Sequence, residues 1–254
     1  MNMGLDAEIS HVIIENYGRI LADSLSVDVA VVGGGPSGLV CAGRLGDEGL
    51  RVALFEKRLA PGGGIWGGGI GFSVLVFPED LGPMLEEMGV DHEKQGRFIV
   101  ADAVACGAAL IAHAARHACV FNGFTCEDLL MRRGAVAGVV VNSSSIAAAG
   151  LHVDPISVEA RAVVDATGHD AVLVALAARH TDKRLVRGQG PMNAAAGEKF
   201  VVKRTGQVMP GLYVCGMAVN AVHGGARMGP IFGGMFKSGA RCAEIIEEAL
   251  QGSS

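Results

Sequence analysis

The pattern of apolar and polar positions predicts a strand–helix–strand unit near the start of the chain. Continuous apolar runs over 28–33 and 51–56 are typical of buried parallel strands, which are covered by helices on both faces. The segment between them favours a helix. Before this unit, apolar residues at helical spacing over 7–24 predict an N-terminal helix that packs on the main sheet.

The same reading extends to the rest of the chain. It predicts helices over 79–90, 103–117, 170–180 and 233–250. It predicts strands over 96–100, 118–122, 161–166 and 211–216. Two alternating segments, 128–131 and 136–142, are predicted to form a hairpin across Arg133 and Gly134. Small polar residues predict a mobile segment over 143–150, and 181–198 is predicted to be irregular.

This order of elements indicates the α/β class. A βαβ unit, an insertion, a hairpin, a late strand and a long closing helix fit a Rossmann-like fold of the two-dinucleotide-binding-domain flavoprotein (FAD/NAD(P)-binding) type. We expect a single dinucleotide-binding domain over 1–254, with a small inserted β segment around 120–160.

A glycine-rich turn, GGGPSG, follows the first strand directly and is the most informative motif of the chain. Gly33 permits a tight turn, Gly35 lets a pyrophosphate approach the backbone, and Gly38 lets the next helix pack on the strand. The N-terminus of that helix offers free N–H groups to phosphates. Glu56 ends the second strand, where its carboxylate can accept hydrogen bonds from a ribose diol. The unit predicts a ligand containing ADP and does not separate NAD from FAD; the alternative is a glycine-rich turn without a ligand.

Composition narrows the class of partner. The 254 residues, 50% hydrophobic, suffice for one large domain or a main domain with a small insertion. The net charge of −5 and the lack of a Lys/Arg-rich block predict no nucleic-acid partner. No apolar run has the ~18 residues of a spanning helix, and the acidic N-terminal stretch does not predict a signal peptide. Six scattered cysteines without a CxxC pair indicate buried thiols in a reducing, cytoplasmic compartment.

Three further clusters carry candidate chemistry: His152 with Asp154, the stretch DATGHD that contains His169, and the glycine-rich loop 217–234. Imidazole and carboxylate together suit Fe(II); alternatively, His169 caps the next helix and Asp154 starts a turn. Arg227 is the only charge of its loop, and a buried guanidinium needs an anion. That anion is either a ligand or an Asp or Glu elsewhere in the chain.

Five segments together resemble the thiamine thiazole synthase family in its archaeal and bacterial form: GGGPSGL, FEKRLAPGGGIWGGG, HVDP, DATGHD and PGLYVCGMAVNAVHGGARMGPIFGG. The likeness runs from about residue 8 to 250, and the pairing of GGGxWGGG with RMGPxFGGM is specific. It implies that NAD is bound as a substrate, that Fe(II) assists, and that the protein is a homo-oligomer, an octamer with shared sites. NAD would lose nicotinamide, and the ADP-sugar would condense with glycine and take up sulfur, giving an ADP-thiazole carboxylate.

The resemblance also implies residue roles. Its nucleotide contacts would be Gly33, Gly35, Pro36, Ser37 and Gly38 at the pyrophosphate, Glu56 and Lys57 at the adenosine ribose, Gly64 on the phosphate side, Cys126 at adenine through its backbone, and Met217. Arg227 would clamp the carboxylate of glycine. Asp154 and His169 would be the iron ligands, Asp154 reaching in from an adjacent subunit.

One departure from the family pattern bears on the mechanism. Fungal and plant relatives have, two residues before the metal aspartate, a cysteine that gives up its own sulfur. Here that residue is His152. Since imidazole has no sulfur, the resemblance implies external sulfide and a multi-turnover catalyst. A smaller departure, Lys203 and Arg204 where acidic residues are expected, concerns local loop contacts.

Three other functions stay open at the level of sequence. A ribose-1,5-bisphosphate isomerase would need cations at both sugar phosphates, and only Arg227 is clearly available. An FAD-dependent oxidoreductase is compatible with the glycine turn, although the chain is short for it. A nucleotide- or metal-binding carrier without catalysis is the third.

Overall fold

The structure is a computed structural model that describes residues 3–181 and 185–252. Its helices are α1 (Leu5–Asp23), α2 (Pro36–Asp47), α3 (Gly82–Glu87), α4 (Ala103–His117), α5 (Ser144–Ala148), α6 (Val172–Ala178), α7 (Ala194–Arg204), α8 (Met217–His223) and α9 (Gly233–Gln251). Its strands are β1 (Ser26–Val32), β2 (Val52–Glu56), β3 (Val74–Pro78), β4 (Glu93–Gln95), β5 (Phe98–Asp102), β6 (Cys119–Asn122), β7 (Phe124–Arg132), β8 (Ala135–Ser143), β9 (Ile156–Asp165), β10 (Gly190–Met192), β11 (Gly206–Met209), β12 (Leu212–Val214) and β13 (Ala226–Arg227).

A central sheet has the strand order β11-β12-β9-β1-β2-β6. All neighbours from β12 to β6 are parallel, and β11 is antiparallel at the edge. The register places Val32 beside both Phe55 and Asp165. The carboxyl ends of β1, β2 and β9 therefore lie at one edge of the sheet, where ligands of open α/β sheets bind. This arrangement confirms the predicted Rossmann-like class.

Two apolar layers cover the sheet because its strands are buried on both faces. Along β1, Val29 and Val31 pack into the layer of α2, α4 and α9, whereas Ala30 and Val32 pack into the layer of α6, α8 and the β7–β8 hairpin. The hairpin, predicted across Arg133 and Gly134, is confirmed. It joins the sheet through β8, which pairs antiparallel with the first half of β9.

The N-terminal helix departs from its predicted packing. The helix itself is confirmed, but none of its residues is buried. Its second half contacts the rest of the fold: the ring of Tyr17 meets Phe121 edge-on, and Leu21 packs against the core. Large apolar side chains stay exposed along the helix: Leu5, Ile9, Val12, Ile13, Ile14 and Ile20. The apolar face of α1 is therefore not buried against the sheet of its own chain.

Other elements differ from the sequence prediction because distant contacts decide them. A second sheet, β3-β5-β4, contains a strand that ends at Pro78 and was not predicted. α7 starts within the segment predicted to be irregular, where Asn193 accepts a hydrogen bond from the N–H of Ala196 and caps the helix. The predicted mobile segment 143–150 carries α5. Residues 182–184 of the predicted irregular segment lie outside the described residues. Within the described ranges, no helix has the length and apolarity needed to cross a membrane.

Candidate functional site

A cavity of about 670 Å³ opens at the carboxyl edge of the central sheet. Its volume lies within the range of cofactor and substrate pockets. Most residues predicted for the site border it: Gly33, Gly35, Pro36, Ser37, Glu56, Lys57, Gly64, Cys126, His169, Met217 and Arg227. Gly38, His152 and Asp154 are not among its lining residues. Topology therefore gathers side chains that are far apart in the sequence.

The glycine turn has the geometry that its sequence predicts. At Gly33, φ is +104°, and a Cβ would lie less than 3.0 Å from the carbonyl oxygen of Ala166. A Cβ at Gly38 would lie even closer to the carbonyl oxygen of Gly33. By contrast, nothing lies within 4 Å of a Cβ built at Gly35. Two of the glycines are thus required by packing, and the third leaves free space beside the backbone at the N-terminus of α2.

The carboxylate of Glu56 has a structural task besides the predicted one. The residue is 6% exposed. Its Oε2 accepts a hydrogen bond from the N–H of Gly34 at 2.8 Å, and its Oε1 accepts one from the N–H of Arg58 at 2.9 Å. Glu56 therefore holds the glycine turn against the end of β2. Each oxygen keeps a second lone pair for a ligand hydroxyl.

The side chain of Ser37 points into the protein. Ser37 is 5% exposed, and a Cβ at Gly216 would collide with its Oγ. Its neighbour inside the protein is the thiol of Cys215, which lies in a buried group with Cys41 and Cys242. Because the hydroxyl lies buried beside Gly216, the backbone N–H of Ser37, in the first turn of α2, is the group of this residue suited to an anion in the cavity.

The cysteines are buried as predicted, with the exception of Cys119, which is exposed. Cys126 is the one that lines the cavity, as far as the described residues show. Burial raises the pKa of its thiol to about 12. A thiol with this pKa stays protonated at neutral pH and is a weak nucleophile.

His169 reaches the cavity from the turn that follows β9. A single 3₁₀ turn, Gly168–Asp170, carries the exposed imidazole. Beneath it, the carboxylate of Asp165 is fully buried, and burial raises its pKa, opposed by hydrogen bonds from Thr167 and Val174. The alternative role of His169 as a helix cap is not seen: the N-cap of α6 is Ala171.

His152 and Asp154 lie elsewhere in the chain. Both are exposed in the irregular segment 151–155, between α5 and β9. Among the described residues, no three His, Cys, Asp or Glu side chains form a group that could hold a metal ion. One chain therefore brings only the imidazole of the predicted metal pair to the cavity.

Arg227 is exposed, and the prediction of a buried guanidinium is wrong. In the part of the chain that the structure describes, no carboxylate forms a salt bridge with it. Its main chain is fixed instead: the carbonyl oxygen of Arg227 accepts a hydrogen bond from the N–H of Asn193 at 2.9 Å, and β13 pairs with β10. The neighbouring carbonyl of Ala226 accepts from Nδ2 of the fully buried Asn220. The guanidinium is thus free to meet an anion in the cavity.

Sequence reasoning missed several lining residues. Arg58 borders the cavity beside Lys57, so the expectation that only Arg227 is available as a cation is wrong. Thr167 and Asp170 also line it. The signal for these two was present, since both belong to the DATGHD motif on either side of His169.

The fold and the cavity define a Rossmann-like α/β protein with an open cavity at the carboxyl edge of its parallel sheet. Residues 10–232 match the Thi4 family, and the chain belongs to that family. The thiamine thiazole synthase of Thermotoga maritima is 48% identical over 97% of this chain and 98% of its own, and that of Pyrococcus horikoshii is 43% identical with the same coverage. The crystal structure of Thermovibrio ammonificans THI4 superposes with a TM-score of 0.95 at 41% identity, covering 99% of this chain and all of that one. These similarities support an enzyme of thiamine thiazole biosynthesis.

Proposed function

We propose that the protein is a sulfide-dependent thiamine thiazole synthase. NAD, glycine and sulfide would be converted with Fe(II) into ADP-5-ethyl-4-methylthiazole-2-carboxylate, with release of nicotinamide. One observation carries the proposal: full-length similarity to thiamine thiazole synthases coincides with a cavity bordered by a dinucleotide turn, His169 and Arg227. NAD is then a substrate and not a redox cofactor.

In this proposal the pyrophosphate of NAD lies over the turn after β1. The free N–H groups and the positive dipole end of α2 favour an anion there. The backbone of Ser37, rather than its hydroxyl, is the donor. The remaining contacts proposed for the nucleotide are Glu56 and Lys57 at the ribose, Gly64 on the phosphate side, the backbone of Cys126 at adenine, and Met217.

Fe(II) is proposed to be held by His169 and by Asp154 of an adjacent copy. The donor set, one imidazole and one carboxylate, fits Fe(II) and leaves coordination positions for a substrate. Two observations support a shared site: His169 lines the cavity, whereas Asp154 of the same chain is exposed and does not line it. When bound, the metal would supply a Lewis acid.

Arg227 is proposed to bind the carboxylate of glycine. The planar guanidinium matches a carboxylate with two parallel hydrogen bonds. This contact would leave the amino group of glycine free to condense with the opened sugar. The exposed side chain and its fixed backbone, described above, support the assignment.

The sulfur is proposed to come from outside the protein. His152 has no sulfur to give, and none of the six cysteines falls in the HVDP segment that contains it. Sulfide would therefore be consumed in each turnover, and the protein would survive many turnovers.

The site is proposed to be completed in a homo-oligomer, an octamer by family resemblance. The apolar side chains of α1 that stay exposed in a single chain support a subunit contact. A cytoplasmic location is proposed from the six cysteines, which have no CxxC pair.

The direct test is a defined reaction under anaerobic conditions. Purified protein is incubated with NAD, glycine and Fe(II), with and without sulfide, and products are identified by mass spectrometry. We expect nicotinamide and the ADP-thiazole only when sulfide is present, with more than one product molecule per subunit. Product formed without sulfide would contradict the proposed sulfur source.

A second candidate is favoured by one observation. Lys57, Arg58 and Arg227 all border the cavity, and these cations are of the kind that a bisphosphate sugar needs. Incubation with ribose 1,5-bisphosphate therefore belongs in the same experiment. Its conversion to ribulose 1,5-bisphosphate, with no thiazole product, would replace the proposed function by isomerase activity.

A further inference from the structure

The turn that carries His169 is built on a fully buried carboxylate. Asp165 is the last residue of β9 and is 0% exposed. Its Oδ1 accepts hydrogen bonds from the N–H of Thr167 at 3.0 Å and from the hydroxyl of Thr167 at 2.7 Å. Its Oδ2 accepts one from the N–H of Val174 at 2.9 Å. A carboxylate removed from water is costly unless hydrogen bonds of this kind compensate it.

These hydrogen bonds replace a missing helix cap. The N-cap of α6 is Ala171, whose side chain has no acceptor. Residues that precede the 3₁₀ turn therefore accept hydrogen bonds from the free N–H groups of the first turn of α6. Oγ1 of Thr167 accepts one from the N–H of Val172 at 2.8 Å, and the carboxylate of Asp165 accepts one from the N–H of Val174. Asp165 and Thr167 thus tie both ends of the segment that contains His169.

The same segment holds a strained residue. Ala171 has φ +44° and ψ +55°, in the left-handed region, and is fully buried. An alanine in this conformation costs about 1–2 kcal/mol and persists where its surroundings impose it. The hydrogen bonds of Asp165 and Thr167 supply that constraint.

The position of His169 depends on this backbone arrangement. Across the described residues, the imidazole of His169 forms no hydrogen bond with another side chain or with the backbone. A metal-ligating side chain that has no hydrogen-bond partner is oriented by the backbone turn that carries it. We propose that Asp165, acting through Thr167, is a positioning residue that fixes the imidazole of His169 for the metal. This inference rests on the proposed role of His169 as a metal ligand.

The test compares Thr167→Val, which is nearly isosteric and lacks the hydroxyl, with Thr167→Ser, which keeps it. Co²⁺ serves as the spectroscopic probe and is titrated into the full-length protein by visible absorption. We expect Thr167→Val and Asp165→Asn to weaken Co²⁺ binding at least about tenfold, the size typical for residues that orient a ligand. We expect Thr167→Ser to bind Co²⁺ within about twofold of the unchanged protein.

Two further readouts separate positioning from general damage. Hydrogen–deuterium exchange should be faster over 167–175 in Thr167→Val and unchanged over 33–38, and NAD affinity should change by less than about twofold. Unaltered exchange over 167–175, unaltered Co²⁺ affinity, or an equal loss of NAD and Co²⁺ binding would each overturn the proposal.

His169→Ala tests the proposed function on which this inference rests. If this variant binds Co²⁺ normally, His169 is not a metal ligand. The exchange data still decide whether Asp165 and Thr167 order the turn.

Discussion

Single residues of the glycine turn separate packing from ligand binding. A Cβ at Gly38 would collide with the carbonyl of Gly33, whereas a Cβ at Gly35 meets nothing within 4 Å. The two positions lie three residues apart, at the N-cap of α2 and in its first turn. Substitution by alanine therefore tests the two roles with one chemical change.

We predict that Gly38→Ala destabilises the fold and that Gly35→Ala does not. Overpacking at Gly38 should lower the free energy of unfolding by about 1–3 kcal/mol, as measured by urea denaturation. Gly35→Ala should unfold like the unchanged protein but bind NAD more weakly in calorimetry, because the methyl group occupies the space beside the backbone. Normal NAD affinity in Gly35→Ala would remove the pyrophosphate from this position.

Arg227 offers a second test at the scale of one side chain. We predict that Arg227→Lys raises the KM for glycine at least about tenfold, because an ammonium cannot reproduce the two parallel hydrogen bonds of a guanidinium. The affinity for NAD should change little. The measurement is steady-state formation of the thiazole product at varied glycine. Since its salt-bridge partners are absent within the described residues, stability should be unaltered, and a KM that stays the same would exclude Arg227 as the carboxylate clamp.

Packing between two helices predicts an acid-sensitive element. α2 and α4 meet where His113 lies against Gly43; the histidine is 7% exposed, and its Nε2 lacks a hydrogen-bond partner within the described residues. Burial lowers the pKa of His113, and the neighbouring His117 and Arg116 lower it further. His113 therefore binds a proton more weakly in the folded protein than in the unfolded chain.

The consequence is a loss of stability as the pH falls. A histidine of the unfolded chain titrates near 6.5, so the loss begins as the pH drops through that value and continues down to the lower pKa of the folded state. We predict a decrease on the order of 1 kcal/mol in the free energy of unfolding between about pH 7.5 and 5.5. His113→Leu should remove this part of the pH dependence. An unchanged slope in His113→Leu would contradict the assignment.

Elements differ in how far the sequence predicts them. The unit β1–α2–β2 is predictable because its signals are local: apolar runs, a glycine turn and a terminal acid within 31 residues, from Ser26 to Glu56. β3 was missed because its strand character depends on pairing with β5, and it ends in a proline. α7 was missed although its cap, Asn193, stands in the sequence, because short polar segments also fit loops.

The motifs predicted many of the residues that line the cavity, but not their arrangement. The sequence motifs contain these residues. The parallel arrangement of β9, β1 and β2 brings Glu56, Gly33 and His169 together at the carboxyl edge of the sheet. The inward hydroxyl of Ser37 and the structural hydrogen bonds of Glu56 were not predictable, because they depend on Gly216 and on the course of the turn. A motif therefore predicts which residue lies at the site, but not which of its atoms faces the ligand.

At the scale of the whole molecule, one chain has two incomplete surfaces. The cavity has the imidazole of the proposed metal pair without the carboxylate, and α1 has an apolar face without cover. Exposed Ile70 and Met192 also border the cavity, with 71% and 64% of their surface accessible. A second copy of the chain that covers this apolar surface and contributes its Asp154 would complete both the cavity and the face of α1. Assembly and activity should then fail together.

We predict that Ile9→Lys combined with Ile13→Lys shifts the protein to smaller species in analytical ultracentrifugation. Both positions are on α1, with 50% and 63% of their surface exposed in the single chain, so a lysine there does not disturb the fold of one subunit. Burying the two charges in a subunit contact would cost several kcal/mol. Ser10→Lys, an exposed polar position on the same helix, is the matched control and should keep the mass of the unchanged protein. If the double variant keeps that mass, α1 is not a subunit contact; if it dissociates yet still binds Co²⁺ as tightly, Asp154 of a neighbouring copy is not a ligand.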